Sequence, residues 1–187
     1  MAARRSRRLV IDASVARSAG GEEASYPRSK FCRDFLKSTL EICHHVIMTS
    51  EIQEEWRQHR SKFTQQWLVS MQARKKVHHI GDAVDNELRG RIEHASSQAK
   101  EYEREAMRKD YRLVEAAIAT VRVVISLDEK VRKLFAVATR EVGELRFIVW
   151  VNPERLEEEP MHWLENGARA DRKRLLRVRA EGVSKEA

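Results

Sequence analysis

The run Arg8-Leu9-Val10-Ile11-Asp12-Ala13-Ser14-Val15 decides how this chain is read. Its apolar part is too short for a helix and suits a strand buried on both faces of a parallel sheet. It ends on an acid, and in open α/β sheets ligands gather outside the carboxyl ends of the strands. Far downstream, Val123-Val124-Ile125-Ser126-Leu127-Asp128 repeats the arrangement. Working outward, Val46-Ile47-Met48 predicts a second strand, and Arg146-Phe147-Ile148-Val149-Trp150-Val151, closed by Asn152-Pro153, predicts the last.

Helical patterns fill the intervals. Phe31, Cys32, Phe35, Leu36, Leu40 and Cys43 follow a start signal at Ser25 and Pro27. Thr49 or Ser50 caps the next helix, on which Ile52 and Trp56 face inward. Residues 61–109 read as helical and highly charged. Phe63, Trp67 and Met71 make one stripe; Val84, Leu88, Ile92, Ala95, Ala99, Tyr102 and Ala106 make a longer one, with a break at Ile80-Gly81-Asp82. A hairpin of two long helices is expected there. Asp110 then opens a short helix packed through Leu113, Ala116, Ala117 and Thr120, and Val131, Leu134, Phe135 and Ala138 supply another. Strands alternating with helices predict an α/β fold, a three-layer α/β/α arrangement around a central parallel sheet. The expected organisation is one domain over 1–151, with the helical insertion at about 61–109, and a partly helical extension over 152–187.

Composition bounds the function. The 187 residues are 42% hydrophobic and 35% charged, which fits one globular core and excludes a disordered chain. No apolar window approaches a membrane span, and no apolar leader follows the N-terminal arginines, so a cytoplasmic protein is expected. Cys32 and Cys43 are the only cysteines; without metal spacing around them, buried thiols in a reducing cytosol are the expectation. The net charge of +7 is concentrated at the ends, in Arg4, Arg5, Arg7 and Arg8 and in the run Arg169–Arg179 that holds Arg172, Lys173 and Arg174. Basic ends on a near-neutral body suit a polyanion held at the edges, as they suit solvated tails.

Asp12 and Asp128 end strands, Glu55 lies early in the helix after the second strand, and Asp110 opens the helix before the third. Strand ends and the starts of the following helices share one edge of a parallel sheet, so these acids are expected to converge. Two carboxylates about 4 Å apart repel by roughly 4 kcal/mol at an effective dielectric near 20. Four in one pocket call for a cation or for protonation. An all-oxygen donor set without cysteine points to Mg²⁺ or Mn²⁺, an ion suited to phosphodiester chemistry. The paired histidines His44-His45 and His78-His79 point in diverging directions and read as core or surface residues. Trp67, Trp150 and Trp163 could stack on bases but read first as core or tail anchors.

Leu-Val-Ile-Asp-Ala-Ser at 9–14, Thr-Ser-Glu-Ile-Gln-Glu-Glu-Trp at 49–56, Asp-Tyr-Arg-Leu-Val-Glu-Ala-Ala at 110–117 and Val-Ile-Ser-Leu-Asp at 124–128 resemble, in order, the acidic motifs of PIN-domain nucleases. The resemblance covers about residues 8–151. It implies a metal-dependent endoribonuclease acting on single-stranded or structured RNA, like the toxins of VapBC-type toxin–antitoxin pairs and RNA-processing nucleases. It also implies an antitoxin or other protein partner and a homodimer. Carried over by position, Asp12, Glu55, Asp110 and Asp128 are the catalytic and metal-site acids, with Ser14 and Ser126 as supporting residues. The neighbouring Glu51 and Glu54 compete with Glu55 for the second position. The insertion is longer than compact toxins carry, and residues 152–187 have no counterpart. Two rivals stand beside this reading: a non-catalytic member of the same fold that binds RNA or a protein, and a receiver-like phosphate-transfer protein with Lys130 or Lys133 near the acid.

Overall fold

A computed structural model of the chain describes residues 6–21 and 25–177. Its centre is a five-stranded, all-parallel sheet made of β1 (Arg8–Ile11), β2 (His45–Met48), β3 (Val77–His79), β4 (Val123–Ile125) and β5 (Val149–Val151), in the spatial order β3-β2-β1-β4-β5. Leu9, Val10 and Ile11 of the middle strand are fully buried, which is why that stretch is uninterruptedly apolar. Register is set by pairs such as Leu9↔Val46 on one side of β1 and Ile11↔Ile125 on the other.

The helices are α1 (Ala13–Ser18), α2 (Pro27–Glu41), α3 (Ser50–His59), α4 (Lys62–Ala73), α5 (Asn86–Ala95), α6 (Glu101–Ala119), α7 (Glu129–Ala138) and α8 (Pro160–Glu165). They flank the sheet, giving the expected α/β/α layering. From β1 the chain builds outward through β2 to β3, then returns to pair β4 with the other edge of β1 and β5 beyond it. The strand order therefore reverses between β1 and β4, and the crevice above that reversal is where such sheets bind ligands. Among the described residues, no helix is long and apolar enough to cross a membrane.

Four expectations about layout need correction. Residues 61–109 do not form a hairpin of two long helices. After α4 the chain reverses at Lys75, whose φ is 56°, and adds the edge strand β3 before α5 begins. An edge strand pairs on one side only, so the half-buried Val77-His78 carries no apolar run to announce it. The long stripe is also interrupted after Ala95. The Ser96 hydroxyl bonds back to the Ile92 carbonyl at 2.7 Å, and α6 restarts with the Glu103 carboxylate accepting from the Lys100 backbone N–H at 3.1 Å. Tyr102, read as packed, is consequently exposed, and so is Val84, which lies in the loop before α5. Nor does Asp110 open a helix: α6 has begun nine residues earlier and carries it mid-helix. The last strand is also shorter than predicted, because Gly143–Phe147 forms a 3-10 turn before Val149.

The segment beyond Asn152 is packed on the same core. Trp163, Leu164 and Leu176 are buried, α8 lies against α2, and Leu175 bridges antiparallel to Val149.

Candidate functional site

Asp12 is the first residue past β1. Its backbone N–H donates to the Ile125 carbonyl at 2.9 Å, so the acid is tied to the end of the adjacent strand β4. It stands at the N-cap of α1, yet its carboxylate caps nothing. Instead two hydroxyls converge on the same oxygen: Ser126 Oγ donates to Oδ2 at 3.0 Å, and Ser14 Oγ donates to it as well. The expected supporting serines therefore both touch the first acid.

The same hydroxyls grip the loop that carries the last acid. Ser126 Oγ accepts from the Asp128 backbone N–H at 3.2 Å, and Ser14 Oγ accepts from that of Leu127 at 3.3 Å. Asp128 in turn caps α7, its Oδ1 accepting from Val131 N at 2.8 Å. Asp12 and Asp128 thus flank the crevice at the strand-order reversal, joined through one serine side chain. Beyond them, Asn152 reaches the Leu127 carbonyl and Glu129 Oε1, and the fully buried Arg132 holds Glu129 at 3.1 Å. Glu129 is therefore an acid already neutralised beside the cluster. Against its burial, Arg132 and Asn152 hold its carboxyl below the usual range.

Two helices bring the other acids. Thr49 caps α3, and the fully buried Trp56 donates its indole N–H to the Ile11 carbonyl at 2.9 Å. That bond orients the neighbouring Glu55. Burial raises the Glu55 carboxyl, with the charge of Asp12 adding to it and Arg112 opposing. Asp110, on α6 packed across β1 and β4, is pushed up to about 8. Burial is the largest cause, followed by the charge of Asp12, with Asp128 and Glu55 adding to it and Arg112 opposing. Asp12, Asp128 and Glu55 thus all bear on the Asp110 carboxyl, and Asp12 bears on Glu55 as well, a like-charge effect centred on Asp110.

The rivals for the second position separate cleanly. Glu54 faces solvent, where Arg57 and Gln58 bond its carboxylate and hold it at about 2. Glu51 is exposed. Glu55 is the one whose carboxyl the charge of Asp12 helps to raise, after burial.

Arg112 is the residue the sequence reading passed over, although it stands inside the third motif. Its guanidinium bonds Glu55 and approaches Asp110 Oδ1 at 3.7 Å, with little of the side chain exposed. A buried cation among clustered acids supplies part of the countercharge they need. As the side chains stand, no three His, Cys, Asp or Glu among the described residues are grouped to hold a metal ion. Beside Glu55 a cleft of about 440 Å³ opens between α3 and α6, with Glu51, Glu54 and Glu55 on one wall and Arg108, Lys109 and Arg112 on the other.

The expected RNA-binding bases are dispersed. Arg4 and Arg5 lie outside the described residues. Arg8 is exposed and Arg7 is half-buried at the opposite, amino edge of the sheet. Arg172 and Lys173 are exposed, while Arg174 is buried against the Trp163 ring and bonded to Asp171 and the Glu158 carbonyl. Arg174 is thus a packing residue, because its stem covers an aromatic face and its head finds partners at once. All four tryptophans are buried, so Trp67, Trp150 and Trp163 anchor the core as first expected. No protein-family model, curated protein or solved structure matches this chain.

Proposed function

We propose that this chain is a metal-dependent endoribonuclease whose centre is the crevice between β1 and β4. One observation carries the reading: Asp12 and Asp128 follow the ends of neighbouring parallel strands at the strand-order reversal, and their charges, after burial, help to push the Asp110 carboxyl up to about 8. By type, the donor set suits a hard divalent ion. It consists of carboxylate oxygens, it is crowded enough to require positive charge, and an arginine already answers part of that requirement. Asp12, Asp110 and Asp128 would hold Mg²⁺ or Mn²⁺, with Glu55 completing the set or orienting water. Bound there, the ion would acidify a water and stabilise charge on a phosphodiester.

The rest of the chemistry belongs to the chain. Ser14 and Ser126 fix the Asp12 carboxylate in one orientation by donating to a single oxygen. The helix cap fixes Asp128. Arg112, once parted from Glu55, has the planar fork that suits a phosphate. RNA as the substrate, an antitoxin-type partner, a homodimer and a cytoplasmic setting follow from the resemblance to PIN-domain nucleases and share its standing.

The test is cleavage of a labelled single-stranded RNA in Mn²⁺ by the parent and by Asp12→Ala, with melting curves on both. Loss of cleavage with an unchanged melt supports the reading; equal cleavage by the two proteins ends it. One observation favours a second reading, a non-catalytic RNA or protein binder: Arg112 occupies the space between Glu55 and Asp110. A binder retains RNA without yielding products in any divalent ion.

A further inference from the structure

The acids alone repel a nucleic-acid backbone, so a strand brought to them needs a foothold outside the cluster. The burial of every tryptophan removes the obvious stacking residues. Among the described residues, three large aromatic side chains are substantially exposed: Tyr26, Tyr102 and Phe147. Phe147 lies under Arg122, which precedes β4 at the amino edge, away from the acids. Tyr26 precedes α2 and has no acid of the cluster beside it in the chain.

Tyr102 is placed differently. It sits in the first turn of α6, the helix that carries Asp110, and eight residues of helix at 1.5 Å each put it about 12 Å along the axis from that acid. The Tyr102 residue is 53% exposed. Lys130, two residues past Asp128 in the first turn of α7, holds its Nζ 4.2 Å from the ring centroid. Lys100, at the start of α6, places a second ammonium 5.9 Å from it. An exposed tyrosine with two cations on flexible stems at its ring, from which a base would displace Lys130, is linked through short stretches of helix to two acids of the cluster and combines the elements that bind single strands: a ring for the base and positive charge for the phosphates.

We infer that Tyr102, with Lys130 and Lys100, forms a stacking position for a base of a single-stranded nucleic acid whose phosphate lies at the acid cluster. This rests on the nuclease reading and adds to it the path of the strand, running from the crevice up the first turns of α6 and α7.

The experiment is fluorescence anisotropy of the full chain with a short labelled single-stranded RNA in EDTA, where nothing is cut, and with the DNA of the same sequence in a parallel arm. Tyr102→Ala is expected to weaken RNA binding about 5- to 100-fold, the range of one lost base–aromatic stack, while Tyr102→Phe stays within about twofold of the parent. Lys130→Ala weakens binding and lowers the slope of affinity against salt by roughly one. In Mn²⁺, Tyr102→Ala raises KM for RNA and leaves kcat close to the parent's. Equal affinity of Tyr102→Ala and the parent for both nucleic acids overturns the inference and leaves the nuclease reading intact. A parent that neither binds nor cleaves RNA overturns both. DNA bound as tightly as RNA, with the same Tyr102 dependence, supports the stacking position and assigns the choice of sugar to other residues.

Discussion

The two edges of the sheet carry opposite charge. At the carboxyl edge, Asp12, Asp128 and Glu55 bear on the Asp110 carboxyl, and Arg112 is the cation beside Glu55 and Asp110. At the amino edge, Arg7, Arg8, His44, His45, Lys76 and His78 gather on β1, β2 and β3 or immediately before them. There the ring nitrogens are partnered. His44 Nδ1 accepts from Arg7 N at 3.0 Å and its Nε2 reaches the Leu164 carbonyl at 3.0 Å. His45 bonds His78 through Nδ1 and Lys76 through Nε2. An all-parallel sheet makes this division natural, since the helices following its strands begin at one edge and those leading into them end at the other. One edge is satisfied by the fold. The other retains charge that a ligand can relieve, and the proposed function rests on that difference.

The sharpest way to break the contrast is to delete one residue from each edge. Asp12→Ala should lower RNA cleavage by about a thousandfold or more while the melting temperature in EDTA holds or rises, because a like charge has been removed. His44→Ala should do the reverse. It leaves a cavity and two unpaired backbone groups, at a cost of about 2–4 kcal/mol, or roughly 5–10 °C in melting temperature, with kcat retained by the folded fraction. Comparable activity losses in the two variants would dissolve the distinction.

Arg112→Met tests the countercharge next. The variant should bind Mn²⁺ roughly tenfold more tightly by calorimetry, since the ion no longer competes with a resident cation for Glu55 and Asp110. Without metal the same variant should melt lower, having left four acids unanswered. Unchanged metal affinity would mean that Arg112 and the ion occupy separate places.

The smallest effect is the difference in pH response. Burial holds His44, His45 and His78 below the ordinary histidine range, His45 at about 4 with Lys76 contributing. As pH falls below about 6.5 the unfolded chain takes up protons that the folded one refuses, so the amino edge's contribution is complete above that pH and declines toward 4. Asp110 runs the other way. With its carboxyl at about 8, the folded chain holds a proton that the unfolded chain has released above about 4. Its contribution is complete below about 4 and is lost as pH rises through 8. Melting scans from pH 4 to 8 in EDTA should therefore show Asp110→Asn gaining on the parent by about 5 °C at the alkaline end, and His45→Asn losing less than the parent at the acid end. Parallel curves for all three proteins would remove the electrostatic account of both edges.

What the sequence revealed follows from burial. β1 and β4 are buried on both faces, so each reads as an apolar run, and the acid that ends each run is conspicuous. β3 is a half-buried edge strand reading Val-His-His, which leaves no such mark. Glu55 could not be separated from Glu54 by pattern, because adjacent helical positions point about 100° apart and only packing says which one faces Asp12. Asp110 looked like a helix start because Asp commonly is one; the capping contact at Lys100 and Glu103 had already started α6. The stripe containing Tyr102 had the right spacing, but the break at 96–100 resets its phase, and no count of intervals detects that. Arg174 looked like one more base in a solvated run, and only the ring beneath it turns it inward.

Trp56 shows how far a site can extend beyond the groups that perform its chemistry. Its indole joins α3 to the last carbonyl of β1, 45 positions back along the chain, and so couples the rotation of that helix to the strand that ends in Asp12. A screen for inactive variants would score this tryptophan among the essential residues, although it is sealed in the interior. Phenylalanine there would keep most of the hydrophobic volume and release the coupling, turning a rigid pair of walls into two that drift independently.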